Sequence, residues 1–421
     1  MKKITIFLLG VCFLAAFATT SFAANDFKLK PGARGKLCLK CHVDFSERLK
    51  KPVIHTPVRE GDCSSCHNPH ASDHGKLLAE DPGKICSVCH PNMVPEQAAS
   101  VHKVVAEENC TDCHDPHSSD FKNNLVRGGN KLCFGCHEDM ATAVKDLKFP
   151  HAPVSDDCLS CHNPHASEKG KHLLTSNPPE LCKECHDTSG KQFSAIHMDY
   201  PVAEADCTLC HNPHGSNQKH LLYDHVHPPV AKRMCNQCHE DAKSADPLKL
   251  KRPGYQLCQG CHNDMVNNFL SKNRVHWPLV SKRGCLECHS PHASKGENLL
   301  PGPQIKVCGE CHADTLRRQE LSPTKHEPVN EGDCSTCHNP HASDYNFLAQ
   351  EATVIDLCGT CHDWQTHSTH PIGDKFQDKR NPNMNMNCLS CHRSHGTDYQ
   401  KMIPFATISV LCVQCHQQYT R

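Results

Sequence analysis

Hydrophobic residues in this chain of 421 are gathered into one long run only, from Ile4 to Ala18. Lys2 and Lys3 precede it, and Ser21-Phe22-Ala23 follows it. A basic start, a short apolar centre and small residues at the end predict a secretory signal peptide over residues 1–24, not a membrane anchor. Cys12 lies inside the run, in Leu9-Gly10-Val11-Cys12, a poor match to a lipid-attachment site. After residue 24 no apolar stretch reaches helix length. Leu occurs singly or in pairs such as Leu77-Leu78, Leu173-Leu174, Leu221-Leu222 and Leu299-Leu300, between loops rich in Pro, Asn, Ser and Gly. The pattern predicts short helices, Glu138 to Leu147 and Asn263 to Leu270 among them, with irregular connections and no room for sheets.

Composition sharpens the problem. Aromatic residues make up 5% of the chain, and Pro and Gly number 29 and 22. Protein atoms alone would bury too little surface to offset the entropy of ordering so long a chain. Cys and His are the abundant types, at 33 and 36.

Apart from Cys12, every cysteine belongs to one of sixteen C-x-x-C pairs, and His follows each pair. The first four pairs are Cys38 and Cys41, Cys63 and Cys66, Cys86 and Cys89, Cys110 and Cys113. Next come Cys133 and Cys136, Cys158 and Cys161, Cys182 and Cys185, Cys207 and Cys210. The third group is Cys235 and Cys238, Cys258 and Cys261, Cys285 and Cys288, Cys308 and Cys311. The last is Cys334 and Cys337, Cys358 and Cys361, Cys388 and Cys391, Cys412 and Cys415. Two thiols on one helical turn can form thioethers with the two vinyl groups of a porphyrin, and the adjacent His then meets the iron. Zinc sites and disulfides both use paired cysteines but leave the sixteen histidines unexplained. Sixteen covalent haems c are expected, with proximal ligands His42, His67, His90, His114, His137, His162, His186, His211, His239, His262, His289, His312, His338, His362, His392 and His416.

The motifs recur about every 25 residues in two forms. Form A has an upstream His and a downstream Pro-His, as in His55-Thr56-Pro57-Val58 before Cys63 and Cys66-His67-Asn68-Pro69-His70 after it. It recurs at Cys110, Cys158, Cys207, Cys285, Cys334 and, loosely, Cys388. Form B has Leu, Ile, Val or Met directly before the first Cys, and Met234 places the Cys235 motif in this class. The order reads B, four AB units, B, three AB units. Lys28-Leu29-Lys30-Pro31-Gly32 before Cys38 is echoed by Lys249-Leu250-Lys251-Arg252-Pro253-Gly254 before Cys258. These repeats divide the mature chain into a nine-haem region, 25–247, and a seven-haem region, 248–421.

Twenty histidines remain for sixteen distal positions. Seven follow a form A proximal His by three residues: His70, His117, His165, His214, His292, His341 and His395. They cannot reach round their own haem and must serve a neighbour. The upstream candidates are His55, His102, His151, His197, His276 and His326, with His367 or His370 for the last unit. His227 repeats the upstream pattern, and the sixteenth ligand is His225 or whichever of His367 and His370 is left. His74, His172 and His220 read as loop residues, and Met93, Met140 and Met265 as packing groups. Two imidazoles per iron favour low potentials, because Met ligation raises them.

The Cys-His-Asn-Pro-His segments and the alternating forms resemble the multihaem c-type cytochromes with doubled CXXCH motifs, over nearly all of residues 34 to 416. The resemblance implies a mostly irregular fold with short α-helices, organised around a chain of stacked haems. It also implies electron transfer in the periplasm or at the outer cell surface, in anaerobic respiration or toward an extracellular acceptor. Its partners would be other cytochromes, quinol-linked donors or outer-membrane conduits. Cys391-His392-Arg393-Ser394-His395 departs from the pattern by replacing Asn-Pro.

The polypeptide carries a formal charge of −1, and haem propionates would make the assembled molecule anionic. That argues against nucleic acid and for ionic-strength-dependent docking to cationic partners. An electron carrier is the first reading. A multihaem reductase with one open-site haem, and a subunit of a filament or porin–cytochrome conduit, are the alternatives.

Overall fold

The computed structural model describes residues 35–365 and 371–419. The expected signal peptide, residues 1–24, and the candidates His367 and His370 lie outside them. The chain forms two compact units, one of Met1–Met93 with Lys103–Gly128 and the other of Val94–His102 with Gly129–Arg421. Both are mostly irregular, with short helices and small strands. The longest helices among the described residues have nine residues, Glu138–Asp146 and Ala313–Leu321, and Asn263–Leu270 has eight.

Only six hydrophobic residues are buried among those described: Ala166, Tyr200, Val266, Leu279, Ala293 and Ala342. The three alanines belong to repeated dipeptide strands, which leaves Tyr200, Val266 and Leu279 as the larger buried side chains. The described residues form no hydrophobic core of their own, as the composition requires.

The two motif forms differ in how their turn begins. Most form B motifs end short α-helices that start before the first Cys, as in Tyr255–Gln259, Gln304–Gly309 and Ile408–Val413. Form A motifs open directly as 3-10 turns, and in three of them the residue before the first Cys caps a following amide. Asp157, Asp206 and Asn387 accept from the backbone N–H of Leu159, Thr208 and Leu389. The Cys235 motif is a 3-10 turn, Cys235–Gln237, and so has form A geometry despite Met234. An apolar residue before Cys therefore does not by itself set the form. Here His227-Pro228-Pro229 upstream, which opens the helix Pro228–Ala231, does.

Strands are present where the sequence predicted none. Six dipeptides that follow form A motifs pair antiparallel with six that precede or include an upstream His. Val53–Ile54 pairs with Ser118–Ser119, Ser100–Val101 with Ala166–Ser167, and Phe149–Pro150 with Gly215–Ser216. His225–Val226 pairs with Ala293–Ser294, Arg274–Val275 with Ala342–Ser343, and Thr324–Lys325 with Gly396–Thr397. Two residues leave no hydrophobic periodicity to detect, and the partners lie far apart in the chain. The second position is small and hydroxylated because it is buried and closes its own loop: Ser343 Oγ donates to Ala349 O at 2.6 Å and accepts from Tyr345 N–H. A longer hairpin, Gly373–Asp378 with Asn381–Met386, occupies the extended interval before Cys388. Arg380 in its turn binds the buried Asp378 carboxylate at 3.0 Å and donates to Ser390 O.

Candidate functional site: sixteen attachment turns and their histidines

All sixteen motifs fold alike. In each, the His N–H donates to the carbonyl of the first Cys, at 2.9–3.1 Å. That single bond winds Cys-x-x-Cys-His into one turn that carries both thiols and the imidazole. None of the described cysteines is in a disulfide. No group of three or more His, Cys, Asp or Glu converges as a single-ion metal site would require, among the described residues.

The sequence treats the two thiols of a motif as equivalent, and their surroundings differ. In form B the second thiol is exposed at Cys41, Cys89, Cys136, Cys185, Cys261, Cys311 and Cys361. In form A it is half-buried at Cys66, Cys113, Cys161, Cys210, Cys238, Cys288, Cys337 and Cys391. The last motif reverses the order, with Cys412 exposed and Cys415 half-buried. The reason is local. Most form B turns continue a helix, so the second Cys lies on a helical end with little chain over it, whereas a form A turn is closed by the loop that follows. That loop bonds directly across the form A turn: Ala79 N–H donates to Cys66 O, Val126 N–H to Cys113 O and Thr175 N–H to Cys161 O. Burial pushes the Cys210 thiol up to about 11 and raises Cys66, Cys238, Cys288, Cys337 and Cys391 as well.

The form A proximal histidines are aimed by a backbone carbonyl. His67 Nδ1–H donates to Lys76 O at 2.9 Å, His114 to Asn123 O, His162 to His172 O, and His211 to His220 O. His239 donates to Leu248 O, His289 to Asn298 O, His338 to Phe347 O, and His392 to Lys401 O. A carbonyl only accepts, so the proton sits on Nδ1 and the Nε2 lone pair is available to bind a metal. Seven of the eight acceptors, all but Leu248, sit at φ between 54° and 60° and are followed by a second left-handed residue. Such non-glycine pairs are strained. His172 and His220, read from sequence as ordinary loop residues, thus belong to the site through their carbonyl oxygens.

The upstream histidines are aimed in the same way, by the proline of a later Pro-His. His55 Nδ1–H donates to Pro116 O at 2.9 Å, His102 to Pro164 O, and His151 to Pro213 O. His227 donates to Pro291 O, and His276 to Pro340 O. Each directly follows a dipeptide strand, so the short ladder fixes where the ring lies.

The structure brings proximal and candidate distal rings together in a repeated geometry. In the first unit His55 faces His90 at 6.3 Å between centroids, and His117 faces His67 at 6.0 Å. In the second, seven pairs lie at 6.0–6.3 Å with interplanar angles of 10–23°. They are His102 with His137, His151 with His186, His162 with His214, His227 with His262, His239 with His292, His276 with His312, and His289 with His341. His326 faces His362 at 5.9 Å and 22°. His338 and His395 lie at 6.2 Å but 35°, and His197 meets His211 at 6.4 Å and 67°. The pairing has two rules. A His after a form A motif faces the proximal His of the preceding form A motif, and an upstream His faces the proximal His of the next form B motif. His197 departs by facing the motif it precedes. His225 lies in a strand.

Loose ring stacking would scatter over about 4.5–7 Å, whereas these twelve pairs fall between 5.9 and 6.4 Å. Two metal–imidazole bonds of about 2.0 Å each, with the distance from nitrogen to ring centre on either side, span about 6 Å. The residues present therefore fit an iron between each pair. Burial favours the neutral ring as well. It pushes His214 down to about 4 and lowers His117, His211, His292, His326, His341 and His395 below the usual range.

Consecutive motifs touch through their first thiols. The first Cys of a form B motif lies beside the first Cys of the form A motif that follows, in Cys38–Cys63, Cys86–Cys110, Cys133–Cys158 and Cys182–Cys207. Cys258–Cys285, Cys308–Cys334 and Cys358–Cys388 repeat it, and there the two half-buried thiols compete for one proton, which raises the form B thiol and lowers the form A thiol.

The doubled CXXCH motif family model matches residues 55–95, 102–142, 151–191, 200–226, 227–267, 276–317, 326–367 and 381–420. Seven of these segments hold two motifs and 200–226 holds one, while Cys38 stands outside them all. Segment 227–267 joins Cys235 to Cys258, in agreement with the form A geometry of the Cys235 turn. No curated protein matches the chain. With the family model covering most of its length, and with sixteen like-folded attachment turns, the chain belongs to the doubled CXXCH motif family and is a multihaem c-type cytochrome.

Proposed function

We propose that this protein is an exported electron-transfer cytochrome, a molecular wire or electron reservoir with sixteen haems c, mostly held by two histidines. The observation that carries the reading is the set of facing imidazoles at about 6 Å, in which a separate repeat delivers the ring opposite a proximal His. Haem iron with two imidazole ligands exchanges one electron between its ferric and ferrous states and has no open position for a substrate. The chain's part is to fix ring orientation: carbonyls hold the Nδ1 protons, and the dipeptide ladders hold the backbone from which the distal rings project. Thiol contacts between consecutive motifs support short haem-to-haem steps within each unit.

The signal peptide supports export, and no helix among the described residues is long and apolar enough to cross a membrane. The periplasm or outer surface, a place in anaerobic respiration, and redox proteins as partners complete the proposal. The regions 25–247 and 248–421 are read as products of doubling on their similar leaders alone, since the boundary falls inside the matched segment 227–267. In support, Gly35 shortly after the first leader and Gly254 at the end of the second both have positive φ, and each lies against a second glycine, Gly61 and Gly284.

The test is a potentiometric titration of the purified holoprotein followed by visible spectra. Uptake of about sixteen electrons per chain over a broad, low potential range is expected, with no turnover of nitrite or hydroxylamine. Uptake of only a few electrons, or steady turnover of either compound, would overturn the reading.

A further inference from the structure

The first motif, formed by Cys38, Cys41 and His42, stands apart from the other fifteen. It lies outside every segment that the family model pairs. Its turn is formed like the rest, with His42 N–H donating to Cys38 O at 2.9 Å. Its proximal ring, however, has no imidazole facing it among the described residues, whereas twelve other proximal rings do.

The two pairing rules explain the exception. A form B motif receives its second ring from the His upstream of the form A motif before it, and residues 1–41 contain no His. The first patterned ring left over along the chain is His70. By its position after a form A motif, His70 would serve an earlier form A motif, and none precedes Cys63 in this sequence. Its backbone tells the same story. Ala71-Ser72 corresponds to the six dipeptides that pair elsewhere, yet it is in no strand. Ser72 is only partly buried, while its counterparts Ser119, Ser167, Ser216, Ser294, Ser343 and Thr397 are buried. No ladder fixes the place of His70.

The turn itself, residues 36–42, carries two lysines and no carboxylate, while Asp62 lies beside Cys63. Lys36 opens its helix and Lys40 sits between the two cysteines, both exposed. Of the acidic neighbours, Glu47 is taken by Lys50 at 2.6 Å, and Asp44 is exposed. Arg48 and Lys51, farther on, are engaged by Asp115 and Asp120.

We propose that the haem held by Cys38, Cys41 and His42 is the open-site haem of this array and binds a small exogenous ligand, with Lys36 and Lys40 favouring an inorganic anion on the ferric iron. The proposal rests on the haem-array reading above, but its failure would leave the other fifteen haems and their electron uptake intact. It is tested on the holoprotein by titrating the dithionite-reduced form with carbon monoxide and the oxidised form with azide, with magnetic resonance of the oxidised form to count high-spin iron. One carbon monoxide and one high-spin haem per chain are expected. The double variant C38S/C41S should bind none and lose one haem by mass. In K36E/K40E azide should bind about threefold or more weakly at low ionic strength, with carbon monoxide binding retained. A wild type that binds no carbon monoxide overturns the proposal, and if His70→Ala then binds one, His70 is the missing ligand. A C38S/C41S protein that still binds one also overturns it, because the open haem is then elsewhere. Azide binding indifferent to K36E/K40E would remove the anion preference.

Discussion

Truncating a single distal ring gives the sharpest test of the histidine pairing, and His341→Ala is the cleanest choice. The His341 imidazole faces His289 at 6.0 Å and 10°. The other ring against it is Phe269, stacked at 4.5 Å, which has no atom that can ligate iron. Alanine leaves the backbone in place, so the His341 carbonyl still accepts from His276 N–H at 2.9 Å. Cys285, Cys288 and His289 are untouched, and the haem stays attached. Lost ring stacking costs about 0.5–1.5 kcal/mol, too little to unfold the repeat. The expected change is one further high-spin haem per chain, read as one additional carbon monoxide bound by the reduced protein. His341→Met should instead keep that iron low-spin and raise its potential. If His341→Ala binds no more carbon monoxide than the wild type, the facing rings are not ligand pairs and the reasoning from the 6 Å spacing fails.

Other outcomes follow from the same contacts. Ser294→Ala removes a buried hydroxyl that donates to Leu300 O and accepts from Gly296 N–H; about 1–3 kcal/mol of local stability should be lost, read as faster amide exchange in 293–296 and in the paired 225–226. Arg380→Ala leaves the Asp378 carboxylate buried without its partner. That arginine's hydrogen bonds hold the carboxyl far below its usual range, so loss of about 3 kcal/mol is expected, seen as early proteolysis of the 373–386 hairpin. On acidification, burial keeps the His214 ring neutral down to about 4, against 6.5 for an unburied ring. The unfolded chain therefore binds more protons between those values, so stability is full above about pH 6.5 and falls as pH drops toward 4. Low-spin spectra should accordingly be flat from about pH 8 to about pH 6.5, and conversion to high-spin already at neutral pH would contradict the buried placement of the distal rings.

What the sequence reveals here is the part fixed by local chemistry. Cys-x-x-Cys-His at sixteen places specifies the attachment turns, because each needs only the i to i−4 bond from His to Cys that its own five residues supply. The facing rings were legible as candidates for the same reason, since a Pro-His after the motif and a His before it, as in Pro69-His70 and His55-Thr56-Pro57, recur at fixed offsets. Which ring meets which was not legible, since it depends on dipeptide ladders such as Arg274–Val275 with Ala342–Ser343, whose two residues carry no periodicity and whose partner lies far along the chain. The aiming carbonyls were hidden too. Phe347 and Asn298 act through backbone oxygens in a left-handed conformation that their side chains do not announce. The unequal cover of the second thiol in the two forms, exposed at Cys261 and half-buried at Cys288, depends on the loop after the turn and so escapes the five-residue motif. Met234 misled, because the residue before Cys matters less than the His227-Pro228 start upstream.

On the proposed reading, porphyrins supply the interior this polypeptide lacks. Intact mass of the exported protein, combined with a pyridine haemochrome assay, measures it directly. A chain cleaved near residue 24 that carries sixteen covalent haems is expected. A mass equal to the bare polypeptide, or thiols that hold zinc in place of haem iron, would contradict it.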